Sequence, residues 1–318
     1  MTQTIDPPAA PIQGDAAQTE SHPLGTWLVF GSAVVWSLGG ILARLAEVEN
    51  AWATIFWRSG TAALFLLAFM LLRDGRAGTL ALFARMGPAG LAVAACFTIA
   101  TTSFVVALQF TTVANVLLMQ AGVPLIAALI SRVLFGEPLR LITGLAIAAV
   151  ISGVAVMVSD SLTGRVSPIG DGLSLLIAFA FATATVITRR HSGIRMTPAV
   201  CTGAAFGCGI ALAVNLAAGT SIAVEAWQLP VLGVFGASLG LGLALFTQGA
   251  RLIPSAYAAL LGTAETILGP LWVWLFLDET PTPRTIIGGA IVLAAIVSYL
   301  IWQLSNHRKI RRLAPPAL

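Results

Sequence analysis

Apolar positions along the chain fall into blocks of about twenty residues, separated by short polar or turn-forming breaks. Ten such blocks can be drawn, at about 25–45, 52–72, 88–108, 112–134, 141–159, 171–190, 198–218, 228–248, 256–276 and 285–304. About 20 apolar residues in a helix cross the hydrocarbon core of a bilayer. Every backbone polar group in lipid must be bonded within the chain, so each block predicts a helix. The breaks carry the residues that stop helices, among them Arg73-Asp74-Gly75-Arg76, Gly136-Glu137-Pro138, Ser159-Asp160-Ser161 and Asp278-Glu279-Thr280-Pro281. The break between the third and fourth blocks, Leu108 to Thr111, is so short that those helices are expected to be antiparallel neighbours.

Composition agrees with this pattern. Of the 318 residues 58% are apolar and 9% charged, against about 25% charged in soluble domains. The net charge of +4 is held at block ends, with no basic stripe of the kind nucleic acid needs. With the amino terminus inside and ten alternating helices, thirteen of the seventeen Lys and Arg fall on the inner side. Arg44, Arg58, Arg165 and Arg284 fall on the outer. This is the bias of the positive-inside rule, and it predicts both termini in the cytoplasm. Residues 1–24 contain no Lys or Arg and are expected to be a disordered tail. Residues 305–318 are expected to be a basic cytoplasmic tail, with His307-Arg308-Lys309-Ile310-Arg311-Arg312 against anionic lipid. Cys96, Cys201 and Cys208 lie in apolar runs without a CxxC pair, so neither a disulfide framework nor a metal site is expected.

The two halves resemble each other. Ala114, Leu118 and Glu137 match Ala256, Leu260 and Glu279 at a constant offset of 142. After a two-residue insertion, Arg140, Gly144, Ala146 and Ile147 match Arg284, Gly288, Ala290 and Ile291. The repeats are drawn at 25–160 and 168–304. Five helices per half is an odd number, so the second repeat enters the membrane upside down relative to the first, an arrangement used by transporters.

The boundary residues also resemble a family. Trp36-Ser37, Arg44 and Arg58 open the first half. Ala107-Leu108-Gln109-Phe110 leads through Pro124 to Gly136-Glu137-Pro138, then Gly144 and Gly153. In the second half Arg251-Leu252-Ile253-Pro254-Ser255-Ala256 is followed by Glu265, Gly269-Pro270-Leu271-Trp272 and Asp278-Glu279. Each half is similar to an EamA domain of the drug/metabolite transporter superfamily, from about residue 25 to 304. Asp278 stands where Gly is usual, and Thr266 where Pro is common. The resemblance implies a ten-helix exporter of amino acids, drugs or other metabolites around a central cavity, in the bacterial inner membrane. The nearest kind is an amino-acid exporter of the YddG type.

Glu265, near the middle of the ninth block, is the first candidate for the transport site. A carboxylate at that depth usually faces a cavity and marks a substrate or proton path. It would receive a substrate ammonium or exchange a proton, or else pin its helix to a neighbour. Tyr257, Leu261, Glu265 and Gly269 share a helical face by spacing. In the fourth block Asn115, Met119 and Gln120 would bind a zwitterion or cross-link that helix to the ninth. Pro124 and Pro270 each remove a backbone donor, giving a gating kink or a tolerated bend. Trp36 would wall an aromatic or cationic ligand, or fill space. Thr98, Thr101, Thr102 and Ser103 are expected mainly to satisfy their own helix carbonyls. Arg44 and Arg58 are expected to snorkel or to pair with Glu47 or Glu49, or else to attract an anionic group at the outer mouth. Glu137 and Glu279 are expected to tie helix ends or accept from Arg140 and Arg284. The GxxxG spacings Gly203/Gly207 and Gly236/Gly240 predict close packing.

No Walker motif is present, which excludes ATP hydrolysis by this chain. His22, His191 and His307 lie in tails or loops, and Glu265 is the only acid deep in a block, so an intramembrane enzyme is disfavoured. No repeated filter-like loop suggests a channel. The expected partners are a small-molecule substrate and the bilayer, with no cofactor, no nucleic acid and no oligomer implied. A carrier of cationic drugs, or of lipid-linked or nucleotide sugars, is the alternative. The charge count makes one expectation testable: a carboxy-terminal green fluorescent protein fusion fluoresces and an alkaline phosphatase fusion at the same site is inactive. The opposite pair of results would reverse the orientation.

Overall fold

The computed structural model describes residues 23–136, 141–162, 167–191, 193–250, 252–253 and 255–313. The amino-terminal tail, Glu137, Arg140 and Arg165 lie outside the described residues, as do the side chains of the basic carboxy-terminal cluster. The described chain is helical, with no strand. In order the helices are α1 (Pro23–Leu45), α2 (Ala51–Ala107), α3 (Val113–Gln120), α4 (Val123–Phe135), α5 (Leu141–Leu162) and α6 (Pro168–Arg190). They continue with α7 (Thr197–Ala218), α8 (Gln228–Gly249), α9 (Ser255–Gly262), α10 (Ala264–Leu277) and α11 (Pro283–Leu313). Eight helices or near-continuous spans are long and apolar enough to cross a bilayer, nine with α3 and α4 taken as one bent span. Large apolar side chains such as Leu64, Leu72, Leu216, Trp274 and Leu275 cover the outer surface, as expected where the solvent is lipid.

Three expected segments take a different form. The break expected at residues 73–76 does not end the helix. Gly75 (φ 69°) and Gly87 (φ 57°) interrupt α2, and the stretch between them stays helical. Both glycines hold a positive φ that a side chain would strain. Leu82 and Phe83 of this linker pack against Leu66 and Met70, so apolar contact sustains a turn of chain that its charges marked as a loop. The limbs of α2 on either side run antiparallel, since Arg58 bonds to the carbonyl of Thr101. The fourth block is bent by 42° between α3 and α4, at Ala121-Gly122. The ninth block divides into α9 and α10 at Thr263. Positions 121 and 263 are separated by the repeat offset of 142, so the two breaks are repeat-equivalent.

The repeats interlock rather than stand side by side. α2 packs chiefly on α7, α1 on α8, and α5 on α11. Small residues make these crossings. Gly203 lies on the carbonyl of Ala94 and Gly207 on Ser59, with Gly60 against Cys208. Gly236 lies on Thr61 and the carbonyl of Arg58, and Gly240 on the ring of Phe65. Both GxxxG pairs therefore serve close packing. Thr98 donates to the carbonyls of Ala94 and, across the α2–α7 contact, Gly203, both at 2.9 Å. Thr101 donates to the Phe97 carbonyl of its own helix. The three cysteines are free thiols within the packing.

The α5–α11 crossing is glycine against glycine. A Cβ on Gly288 would meet the carbonyl of Gly153 and the chain of Met157, while a Cβ on Gly144 meets nothing within 4 Å. Gly144 and Gly288 are equivalent in the repeat, yet only one is a contact. Gly288→Ala is expected to cost about 1–3 kcal/mol by overpacking, read as a lower unfolding temperature in detergent. Gly144→Ala is expected to be neutral or slightly stabilising.

Candidate functional site

Helix breaks place the site. At one end of the molecule α3 and α10, the halves that follow or precede the breaks, pack on each other and on α1 and α6. Ile41, Ala107, Leu108, Val116, Leu117 and Val273 are buried in one cluster there, joined by Leu38, Phe181 and Trp272. At the other end α4 packs on α5 and α6, and α9 packs on α1 and α11. Among the described residues α4 and α9 share no substantial contact with each other, nor does α4 with α1. The bundle is thus sealed at the end that carries Arg44 and divided between α4 and α9 at the other. The α5–α11 pair and the α2 hairpin hold it together at the flanks.

Glu265 lies at the boundary between the sealed and divided halves. It occupies the first turn of α10, directly after the break at Thr263. One turn further on, Gly269 lies against Leu117 of α3 and the carbonyl of Ser37 of α1. Glu265 is half-buried and has no hydrogen bond or ion pair among the described residues. The start of a helix presents unbonded N–H groups and a partial positive charge, which favours an acid in the first turn. Gln120 ends α3 at the matching break. It is partly buried, and its amide N–H reaches only the carbonyl of Val116, at 3.3 Å. Pro124 follows the same break in the first turn of α4, where a missing N–H costs nothing. Pro270 instead lies inside α10, seven residues beyond the break in that span. The sequence cannot separate these two prolines; the structure associates only Pro124 with a bend.

The other candidates are spread. Trp36 fills the groove over Gly242, donates to the Leu239 carbonyl at 3.3 Å and meets the Phe246 ring at 5.7 Å. Tyr257 packs with Phe246, Ala250 and Leu261 around Val29 and Ile253, in the divided half. Met119 is 1% exposed and sits in a core with Leu118 and Met157. Asn115 is also buried. Its amide donates to Asp171 at 2.5 Å and to Thr111 at 3.0 Å, which ties α3 to α6 rather than to the ninth span. Glu265, Gln120 and Pro124 therefore gather at the breaks, and Asn115 and Met119 belong to the sealed half. Asp171 escapes a sequence reading because an acid at a segment's start looks like an ordinary solvated helix end.

Two arginines behave differently from expectation. Arg44 pairs with Glu279, Nε to Oε2 at 2.9 Å, instead of Glu47 or Glu49. Its Nη1 donates to the Leu108 carbonyl at 2.7 Å and its Nη2 to the Thr111 carbonyl at 3.1 Å. The second oxygen of Glu279 accepts from the Val113 N–H at 2.7 Å. Glu279 does tie helix ends, but its partner is Arg44 across the repeats; Arg284 donates to Ser159. Arg58 does not snorkel. It is buried, donates to Thr101 at 3.1 Å, and lies 4.4 Å from the centre of the Phe235 ring and 5.4 Å from that of Phe104. Stacking on aromatic faces supplies part of what water would give a guanidinium. No group of three or more His, Cys, Asp and Glu residues that could hold a metal occurs among the described residues.

Comparison with known proteins agrees with this architecture. One solved structure, described only as a crystal structure of protein, superposes with a TM-score of 0.62 at 16% identity, covering 88% of this chain and 98% of its own. At that identity the likeness is one of fold. No curated protein matches the chain. The profile of the EamA-like transporter family matches twice in tandem, at residues 23–159 and 168–301. Those two matches coincide with the two halves of the helical bundle, and the chain belongs to the EamA-like transporter family, a multi-pass membrane transporter of the drug/metabolite type.

Proposed function

We propose that this chain is a secondary transporter that exports small metabolites, amino acids foremost, across the bacterial inner membrane, in the manner of the YddG type. The observation that carries the reading is Glu265: a half-buried carboxylate without a partner among the described residues, in the first turn of a broken span, where the sealed half of the bundle meets the divided half. Broken helices at the meeting of inverted repeats are where transporters hold solute and coupling ion. An unpaired acid in lipid surroundings costs several kcal/mol unless a ligand, water or proton compensates it. An ammonium group is the complementary ligand. Gln120 supplies a neutral donor and acceptor at the equivalent break, suited to the rest of a zwitterion.

Ten crossings with both termini cytoplasmic belong to this proposal. The two antiparallel limbs of α2 each match one expected block, and the spans α3–α4 and α9–α10 match one block each. The equivalent breaks in the two repeats support alternating access as the mechanism. Equivalent discontinuities in each repeat let the half-helices on either side change their angle without disturbing the rest of their spans.

Counterflow of labelled amino acids in proteoliposomes tests the reading. Wild type is expected to show saturable exchange. Glu265→Gln removes the charge but keeps the shape, and is expected to lose at least about tenfold, the worth of one charge-assisted hydrogen bond. Equal exchange by both proteins would remove Glu265 from the site. Absence of exchange of any amino acid by folded wild-type protein would overturn the substrate class.

A further inference from the structure

The Arg44–Glu279 pair joins the last turn of α1, in the first repeat, to the end of α10, in the second. It also grips the turn between α2 and α3: Arg44 holds the carbonyls of Leu108 and Thr111, and Glu279 holds the N–H of Val113. Thr111 is used three times. Its carbonyl accepts from Arg44, its hydroxyl accepts from Asn115, and its Cβ packs where Gly170 of α6 leaves room. Asn115 then reaches Asp171 of α6. Four central elements from both repeats are thus bonded through one five-residue turn, at the end of the bundle that is sealed. The half-helices at the opposite end, α4 and α9, are apart.

We propose that this network, centred on Arg44 and Glu279, is the gate of the Arg44 end: it holds that end closed in the state seen here and must break when the end opens. The inference rests on the alternating-access reading above. In that reading the sealed end has to open once per cycle, and the contacts that cross between repeats there are those that must be lost. The pair suits the role because it is neither dry nor fully wet, with side-chain exposures of 32% for Arg44 and 17% for Glu279. A fully buried pair would trap one state, and a fully exposed one would contribute little. Asp74 and Arg195, also an ion pair, join the α2 hairpin to the turn before α7. That pair makes no contact with the turn between α2 and α3 and is not part of the network. Ser37 lies beneath the network, buried, with its hydroxyl accepting from the Trp272 indole.

Accessibility of Ser37 tests the proposal without knowledge of the solute. In full-length protein with Cys96, Cys201 and Cys208 replaced by Ala, Ser37→Cys is alkylated with a membrane-impermeant maleimide from the Arg44 side of sealed vesicles. The rate is expected to rise about tenfold with Glu279→Gln, as the closed population loses a comparable factor, and likewise with Arg44→Met. Asp74→Asn is expected to leave it unchanged. If either gate variant is not monodisperse, Glu279→Asp replaces it; the shorter side chain cannot hold both Arg44 and Val113, and a rise is again expected. An unchanged rate in folded Glu279 and Arg44 variants overturns the gate, and so does an equal rise with Asp74→Asn. Loss of amino-acid counterflow would instead bear on the transport reading, since the alkylation rate is independent of it.

Discussion

Backbone hydrogen bonding without water constrains this molecule more than any side-chain contact. Hydrocarbon offers no water to bond a peptide group, so the spanning chain satisfies its backbone chiefly as helix. That rule makes each interruption informative. Gly75 and Gly87 interrupt α2 at the ends of its linker, where the hairpin reverses. The interruptions at Ala121-Gly122 and Thr263 fall within spans instead, at equivalent positions of the two repeats. Side chains close both: Thr263 donates to the Leu260 carbonyl, and Gln120 to that of Val116. The proposed solute site is drawn at these two places because a break leaves helix-end backbone groups without their usual ladder partners.

Polar contacts elsewhere divide by what they join. Those within a helix, such as Thr101 to Phe97 or Ser174 to Gly170, return a hydroxyl to its own carbonyl ladder and bind no neighbour. Many of those between helices lie at the Arg44 end. Asn50, which caps α2, also donates to Asn215 of α7, and Trp57 donates to the carbonyl of Ile222. The central part of this set, around Thr111, is what distinguishes the sealed end from the divided one. Packing carries the remainder: the small-residue faces of α7, α8 and α11 allow backbones to approach closely enough for dispersion to hold helices together in a solvent as apolar as themselves.

Most of the fold is legible in the sequence, because block length and apolar content are set by bilayer thickness and need no tertiary information. The repeat is legible through Glu137 and Glu279 and the glycines that follow them. The linker of α2 is not, since Arg73, Asp74 and Arg76 signal a break while Leu82 and Phe83 find apolar partners that only the folded chain supplies. Site residues are less legible still. Spacing places Glu265 on a helical face but cannot show that the helix restarts beside it. Asn115 and Gln120 look alike as intramembrane amides, yet one is consumed by Asp171 and the other ends at a break. The partners of Arg44 and Arg58 depend on which helices meet, and no local pattern encodes that.

The indole of Trp36 bonds to a carbonyl 203 residues further along the chain. At about 5–20 residues per second, ribosomal synthesis delivers that partner roughly 10–40 s after α1 has emerged. Through this interval α1 resides in the bilayer with its small-residue face, Gly25, Ser32, Ser37 and Gly40, turned to lipid or to any neighbouring helix. The same holds for the α2 hairpin until α7 arrives. Assembly of the bundle is therefore late and non-local, and a chain truncated after the first repeat would present open crossings to the quality-control proteases of the membrane.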